Sequence, residues 1–332
     1  MDKLESLQAE VESDPSEANF EALLTTYPLL FGYWIKYLEK FPGEILWKRA
    51  LDQCPSIELW TAFLDREMAS LEDCKLAADS VGLFFQSHPI WDRYLAKLQG
   101  VERAKVLSYL ITLPLYEYSK YSQLAIESQN EYPGEFGDIA EILKQTSQLV
   151  NDKWAFESQL SRHYFHVIDL EESEKKVWDE YLDYQESLGN HAQTAALYER
   201  CLVPCALYKG FWMRYIRWLS AAMPDKVDSA FERGQLYLDP TELEQWAIER
   251  ARYRQGLGFP GAQEILAPFT SRTVQEVQRQ LADQAAGSVS TVKRQSLQSL
   301  RDNGDLVAFF NADIAQNGCA EARALVKAEP LV

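Results

Sequence analysis

One pattern occurs three times in the chain, as VWDEYLDYQ (177–185), FWMRYIRWL (211–219) and QWAIERARY (245–253). Its tryptophans, Trp178, Trp212 and Trp246, are 34 residues apart. A fixed spacing of a few tens of residues is typical of a solenoid, in which a single repeat cannot bury its own apolar face and therefore stacks on its neighbours. Such an array usually displays a long surface to partners and seldom houses a reaction centre. The spacing therefore predicts a repeat protein that works by binding.

The aromatic residues inside the pattern indicate α-helices. Trp178, Tyr181 and Leu182 lie at positions i, i+3 and i+4, which places them on one helix face. The same spacing begins at four other tryptophans: Trp34, Trp60, Trp91 and Trp212. Because the alternation that a half-buried strand needs is hard to find, the sequence predicts an all-α fold. We expect these five tryptophans, together with Trp246, to define the repeats and to lie in the core.

A second pattern lies between the tryptophan helices. An aromatic residue is followed two positions later by arginine, then by a small residue, and a few residues on by proline. The arginines are Arg49, Arg200 and Arg233. The small residue lets two helices approach closely, and proline ends a helix because it has no N–H to donate. We predict a right-handed α-solenoid of antiparallel helix hairpins, in which each arginine pairs with a carboxylate of an adjacent helix and fixes the angle between repeats.

The two patterns divide the chain into hairpins. We predict hairpins near 4–28, 29–55, 56–89, 90–114, 115–150, 175–204, 208–240, 242–270, 272–301 and 305–329. A long helix over 154–170 is expected to lead into the strongest repeats, which span 154–270. The repeats of 271–332 are weak, and the last retains only Leu306, Phe309 and Phe310 on one helix face.

One segment, NEYPGEFGD (130–138), breaks the periodicity. It combines proline and glycine, which punctuate regular structure. We therefore predict a hinge there, between an N-terminal arm (1–135) and a C-terminal arm (136–332).

Charge and composition narrow the class of partner. The formal net charge is −17, and residues 1–150 carry 24 acidic and 13 basic side chains, a net charge of −11. Such a chain is a poor non-specific binder of nucleic acid, because phosphate contacts need clustered lysine and arginine. The five cysteines show no paired spacing, which indicates a reducing compartment. We expect no signal peptide and no membrane span, because the acidic N-terminus and the absence of a long apolar run argue against both.

The repeat pattern resembles the HAT (half-a-TPR) repeat of RNA-processing scaffolds. Two stretches go further: TYPLLFGYWIKYLEK (26–40), and the region 161–219 with its segments YFHV, WDEYLDYQ, YERCLVPCALY and FWMRY. These are similar to the pre-mRNA-processing factor 39 family, which includes a sister splicing factor 42. The resemblance covers roughly 20–270, is most specific over 161–219, and fades beyond 270.

The resemblance implies a function. It implies a nuclear, non-catalytic scaffold of pre-mRNA splicing that contacts proteins of the U1 small nuclear ribonucleoprotein (snRNP) and supports recognition of the 5′ splice site. In this family the C-terminal repeats also build a homodimer or a heterodimer of the two sisters. Two alternatives stay open: a HAT scaffold of another RNA-processing complex, such as 3′-end cleavage or later spliceosome assembly, and a solenoid that binds RNA directly.

Two groups of residues are candidates for partner binding. Tyr164, Phe165 and His166 precede an acidic turn, and we interpret them either as a docking knob or as an aromatic wedge between repeats, the wedge being favoured. The second group, Lys209, Arg214 and Arg217, lies beside Trp218, and an arginine–aromatic mixture can stack on bases or bind an acidic peptide. Its alternative is a solvated helix face, which is the favoured interpretation.

Neither a metal site nor an active site is predicted. His163, His166, Cys201 and Cys205 could together bind zinc, but their spacing is not that of a familiar zinc finger. Cys201 also occupies the small-residue position of the repeat, where a buried cysteine packs as a small apolar side chain. The sequence contains no phosphate-binding glycine loop and no metalloprotease or nucleophile-elbow motif. We expect a protein without cofactor or catalytic residues.

Overall fold

The computed structural model describes residues 3–294 of the chain. Within them the secondary structure consists of 17 α-helices and two short 3-10 turns, without a β-strand. The all-α prediction is confirmed. The weak repeat predicted near 305–329, with Leu306, Phe309 and Phe310, lies outside the described residues, and the right-handed sense of the array stays a prediction.

The helices follow one another with short connections. The first ten are α1 (Lys3–Ser13), α2 (Glu17–Thr26), α3 (Phe31–Lys40), α4 (Glu44–Gln53), α5 (Ile57–Leu64), α6 (Leu71–Val81), α7 (His88–Lys97), α8 (Gly100–Leu110), α9 (Tyr118–Glu131) and α10 (Ile139–Glu157). The others are α11 (Glu172–Ser187), α12 (His191–Cys201), α13 (Lys209–Ala222), α14 (Val227–Gln235), α15 (Leu243–Gly256), α16 (Ala262–Leu266) and α17 (Arg272–Arg294). Helices α3, α5 and α7, which carry the repeat tryptophans Trp34, Trp60 and Trp91, pack on one another in that order. None of the described helices is long and apolar enough to cross a bilayer.

The tryptophans form the centres of the repeats. All six are buried: Trp34, Trp60, Trp91, Trp178, Trp212 and Trp246. Several also fix the connection that precedes their helix. The indole N–H groups of Trp34 and Trp212 each donate to the carbonyl six residues earlier, at 2.8 Å in both cases. Each ring therefore fills the core and satisfies a backbone group that the turn leaves without a helical partner.

Two predicted boundaries are wrong. The long helix expected over 154–170 does not exist, because α10 ends at Glu157 and residues 158–171 are not helical. No apolar period continues there, and the backbone finds hydrogen bonds outside a helix, as described below. The hairpin expected over 272–301 is wrong as well, since α17 runs unbroken to Arg294. No proline interrupts this stretch, and Val274, Val277 and Leu281 bury one face of the helix over 274–281.

The chain separates into two compact units. The first contains the residues up to 218 together with 236–238, and the second contains 219–235 and the residues from 239 onward. The core of the first unit includes one continuous apolar cluster from Leu4 to Phe136. The second has its own cluster, formed by α15, α16 and α17. The division into arms at 135 and 136 and the hinge at 130–138 stay predictions; Phe136, within that segment, is buried.

Candidate protein-interaction site

A buried cluster of Glu157, Tyr181 and Arg200 joins three consecutive helices. Arg200 on α12 donates two hydrogen bonds to the Glu157 carboxylate at the end of α10, both at 2.5 Å. The Tyr181 hydroxyl of α11 donates to the same carboxylate at 2.9 Å. The Arg200 guanidinium lies 5.4 Å from the centre of the Trp178 ring, and Phe156 stacks on Tyr181 at 4.9 Å. The cluster therefore ties a repeat-defining tryptophan to the preceding helix.

The same arrangement occurs near the N-terminus. Arg49 on α4 donates to both oxygens of Glu21 on α2, at 2.9 and 2.7 Å, and the Tyr37 hydroxyl of α3 donates to Glu21 at 2.9 Å. Phe20 stacks on Tyr37 at 4.9 Å, and the Arg49 guanidinium lies 5.1 Å from the Trp34 ring. The hydrogen bond from Arg49 lowers the pKa of Glu21. The carboxylate pairing predicted for Arg49 and Arg200 is thus present.

Sequence reasoning missed the carboxylates of these clusters. Both follow a phenylalanine in the helix that precedes the tryptophan helix, as Phe20–Glu21 within α2 and Phe156–Glu157 at the end of α10. The pair Tyr198–Glu199 is related: Tyr198 stacks on Tyr215 at 4.8 Å, and the Tyr215 hydroxyl donates to Glu199 at 2.8 Å. An aromatic–glutamate dipeptide in the helix before Trp34, Trp178 and Trp212 was the available signal. Arg233 is half-buried on α14, and its predicted pairing stays a prediction.

A lysine is buried beside the second cluster. Lys153 on α10 is only 6% exposed, and its ammonium lies 3.4 Å from the Gln193 side-chain oxygen. Burial lowers the pKa of Lys153 to about 8, with the attraction of Glu157 opposing and the repulsion of Arg200 adding to this effect. The region thus holds two cations around one carboxylate, which is an expensive arrangement in a low-dielectric environment.

Residues 158–171 form a hydrogen-bonded connector between α10 and α11. The buried Glu174 carboxylate accepts from the backbone N–H groups of Ser161 and Arg162, at 3.0 and 2.9 Å, and from the Ser161 hydroxyl at 2.8 Å. At the other end, Leu170 N–H donates to the Tyr208 hydroxyl at 2.6 Å. These bonds supply the backbone partners that a helix would otherwise provide, so the connector has a defined shape.

The first candidate group lies on this connector and divides into buried and exposed members. Phe165 is 2% exposed and packs with Leu29, Val203 and Ala206, which agrees with the wedge interpretation and leaves its ring inaccessible to a partner. Tyr164 is 51% exposed, and His166 is half-buried. The His166 Nδ1 accepts from Ile168 N–H at 3.0 Å. Ile168 itself is 64% exposed and was missed by the sequence analysis.

The second candidate group is not an open basic surface at Arg214. Its guanidinium is bound by three carboxylates of α11: Asp179 at 3.1 Å, Asp183 at 2.5 Å and Glu186 at 3.0 Å. A partner carboxylate would have to displace these intrachain ligands. Lys209 is half-buried and Arg217 is exposed on the same helix, α13. Partner binding by Lys209, Arg214 and Arg217 stays a prediction.

The cysteines considered for zinc are packed in the interior. Cys201 and Cys205 are fully buried, and burial raises the pKa of the Cys201 thiol well above its usual value, which opposes the thiolate that zinc requires. Within the described part of the chain, no three histidine, cysteine or acidic side chains are grouped so that they could hold a metal ion.

Two models of known protein families match the chain. The PRP39 N-terminal HAT repeat model matches residues 2–124, and the PRP39 C-terminal HAT repeat model matches residues 151–285. Together the two matches span most of the chain, in the order in which their names place them.

The chain is also similar to individual proteins of this kind. Pre-mRNA-processing factor 39 of Schizosaccharomyces pombe is 30% identical over 275 residues, covering 63% of this chain and 45% of that protein. The human factor 39 is 25% identical over 294 residues, covering 64% and 44%. U1 small nuclear ribonucleoprotein component PRP42 of Saccharomyces cerevisiae is 24% identical over 261 residues, covering 60% and 48%. The chain spans less than half the length of these relatives. Because the N-terminal and C-terminal family models match consecutive parts of the chain, the chain belongs to the pre-mRNA-processing factor 39 family of HAT-repeat proteins.

Proposed function

We propose that this protein is a non-catalytic scaffold of pre-mRNA splicing in the nucleus, associated with the U1 snRNP and supporting 5′ splice-site recognition through protein contacts. The observation that carries the proposal is the ordered match of both factor 39 HAT-repeat models along one chain. A relative named as a U1 snRNP component supports the choice of complex.

The charge of the molecule favours protein partners over RNA. The net charge is −17, and the most engaged arginine of the predicted basic group, Arg214, is bound by its own carboxylates. Non-specific binding of RNA needs free cations that neutralise phosphates, so any RNA contact of the scaffold is indirect. A role without chemistry is in keeping with a HAT-repeat family, whose members act by displaying surfaces.

The candidate contact surface is the exposed side of the 158–171 connector. Tyr164 and Ile168 present apolar area to solvent, while Phe165 and the Glu174 hydrogen bonds hold the backbone beneath them. A pre-ordered segment loses little conformational entropy on binding, which favours its use as a contact. Dimerisation with a second copy or a sister HAT protein, through the C-terminal repeats, is part of the proposal and rests on the family resemblance; light scattering of the full chain at several concentrations tests it.

A pull-down from native nuclear extract tests the proposed function. The tagged chain is compared with the double variant Tyr164→Ala, Ile168→Ser and with a matched control, Tyr109→Ala, Leu76→Ser, which alters side chains of similar exposure on α8 and α6. Arg217→Glu tests the second predicted group at its exposed member. We expect U1 RNA and U1 proteins with the unaltered chain and the control, and a loss of at least about tenfold with the connector variant.

Two results would contradict the proposal. Recovery of a different RNA-processing complex without U1 RNA would move the function to another HAT scaffold. Binding of purified chain to RNA with a steep salt dependence, in the absence of protein, would favour a direct RNA-binding solenoid.

A further inference from the structure

An exposed aromatic pair lies on the first unit, away from both candidate groups. Trp154, in the last turn of α10, and Tyr116, just before α9, are 48% and 49% exposed. Their ring centroids are 5.7 Å apart and the ring planes are inclined by 35°. We call this pair, with its buried neighbour Phe85, the Trp154 platform. Large aromatic side chains are normally core residues, so two half-exposed rings in contact indicate a binding surface.

The platform is rigid. Phe85 is 3% exposed and lies beneath both rings, with centroids 6.1 Å from Tyr116 and 6.5 Å from Trp154. The Tyr116 N–H donates to the Phe85 carbonyl at 2.8 Å, and the His88 ring flanks Tyr116 at 6.2 Å. The pair is therefore held by three separate elements of the same unit, and binding to it would not need the rings to be ordered first.

The polar edges of the two rings are available. Among the residues that the structure describes, neither the Trp154 indole N–H nor the Tyr116 hydroxyl donates a hydrogen bond. A surface with flat apolar faces and edge donors suits a polyproline II segment. Proline rings pack on aromatic faces, and the carbonyls of that helix have no internal partners and accept from Tyr and Trp.

Charge selects among ligands that stack on aromatic rings. Nucleic-acid bases also stack on tryptophan and tyrosine, but such sites add cations for the phosphates. Of the charged residues next to the two rings in sequence, Glu117 is acidic and Lys153 is buried against Gln193. Residues 1–150, which include Phe85 and Tyr116, carry a net charge of −11. An acidic setting favours a peptide with basic residues and opposes a polyphosphate.

We propose that the Trp154 platform binds a proline-rich segment of a partner protein that carries lysine or arginine beside its prolines. This inference does not depend on the splicing function proposed above.

Fluorescence anisotropy on the full chain tests the inference. The probe is a labelled octaproline peptide with two arginines at each end, and the reference is a glycine–serine peptide of the same length and charge. We expect the proline peptide to bind more tightly, and Trp154→Ala or Tyr116→Ala to weaken it at least about tenfold. Tyr109→Ala removes an equally exposed tyrosine elsewhere and is expected to change the affinity by less than about twofold.

Two conservative variants make the test independent of folding defects. Tyr116→Phe removes only the hydroxyl donor, whereas Trp154→Phe keeps an aromatic ring but removes the N–H donor and part of the stacking area, so each is expected to weaken binding by about three- to tenfold. Equal binding of the two peptides would overturn the proposal, because charge alone would then explain the affinity. Tighter, Trp154-dependent binding of a short oligouridylate would also overturn it in favour of RNA, as would unchanged affinity of the Trp154 and Tyr116 variants.

Discussion

The N-terminal cluster of Glu21, Tyr37 and Arg49 and the central cluster of Glu157, Tyr181 and Arg200 have the same hydrogen bonds but different environments. In the first, the arginine and glutamate side chains are 34% and 35% exposed. In the second they are 10% and 1% exposed. An ion pair open to solvent contributes little to stability, whereas a buried one becomes costly when one partner is removed. One motif therefore has two energetic roles, decided by what covers it.

The covering material comes from distant parts of the sequence. Residues 83–85, from the connection between α6 and α7, line one small cavity together with Lys153, Tyr181 and Arg200. Among the residues that the structure describes, no buried lysine belongs to the N-terminal cluster, and the ammonium of Lys36, which precedes Tyr37, pairs with Glu12 at the surface. The comparison shows that the repeat motif sets the hydrogen-bond geometry of the arginine–glutamate pair. The segments that pack around the pair decide how far it is shielded from solvent.

The largest expected effect comes from breaking the central cluster. Glu157→Gln leaves the Arg200 and Lys153 cations without their shared carboxylate, so we expect a loss of about 3–5 kcal/mol in the stability of this region. The midpoint of urea unfolding and hydrogen exchange of α11 and α12 measure it. A loss of stability no larger than that caused by Glu21→Gln in the N-terminal cluster would show that burial does not distinguish the two clusters.

A smaller effect should appear as a pH dependence. The folded pKa of Lys153 is about 8, against 10.5 when unperturbed, so the unfolded state binds more protons between these values and the stability contributed by this group rises with pH. Below pH 8 both states are protonated and the penalty, about 3 kcal/mol, is fully present. We expect Lys153→Met to be more stable than the unaltered chain at neutral pH, and the advantage to shrink as pH rises to 10.5. A constant difference across this range would contradict the assignment.

The smallest effect is expected at the N-terminal cluster. Glu21→Gln removes a half-exposed partner of Arg49, and we expect a cost below about 1 kcal/mol. Because salt screens exposed pairs, the difference from the unaltered chain should decrease further in molar sodium chloride, while that of Glu157→Gln should persist. Urea midpoints at low and high salt check this. A salt-independent loss of several kcal/mol of stability in Glu21→Gln would show that the Glu21–Arg49 pair behaves like the buried Glu157–Arg200 pair.

The repeat architecture could be predicted from the sequence because local periodicity encodes it. The i, i+3, i+4 sets identified the tryptophan helices, and proline after a small residue located the ends of their partner helices. The failures occurred where no period was present. Residues 158–171 are not helical, because backbone N–H groups of this connector donate hydrogen bonds to Glu174 and Tyr208, and neither residue is adjacent to its donor in sequence.

The properties of the candidate interaction residues were harder to predict from the sequence. Arg214 looked like a free cation because its carboxylate ligands lie on another helix, 28 to 35 residues earlier. The sequence analysis did not single out Trp154, whose 48% exposure and contacts with Phe85 and Tyr116 only the tertiary structure shows. Exposure and ion pairing depend on long-range contacts, which a local pattern does not report.

The sequence by itself determined the helical class, the hairpin repeat and the buried tryptophans, since these follow from residue types at short spacings. Its composition set the acidic character, and the resemblance of the stretches 26–40 and 161–219 indicated the family. The tertiary structure alone decided which of two identical ion-pair motifs is buried, which aromatic residues face solvent and which arginine is already neutralised. Those properties depend on the surfaces that meet when repeats stack, and stacking joins residues that no short-range pattern connects.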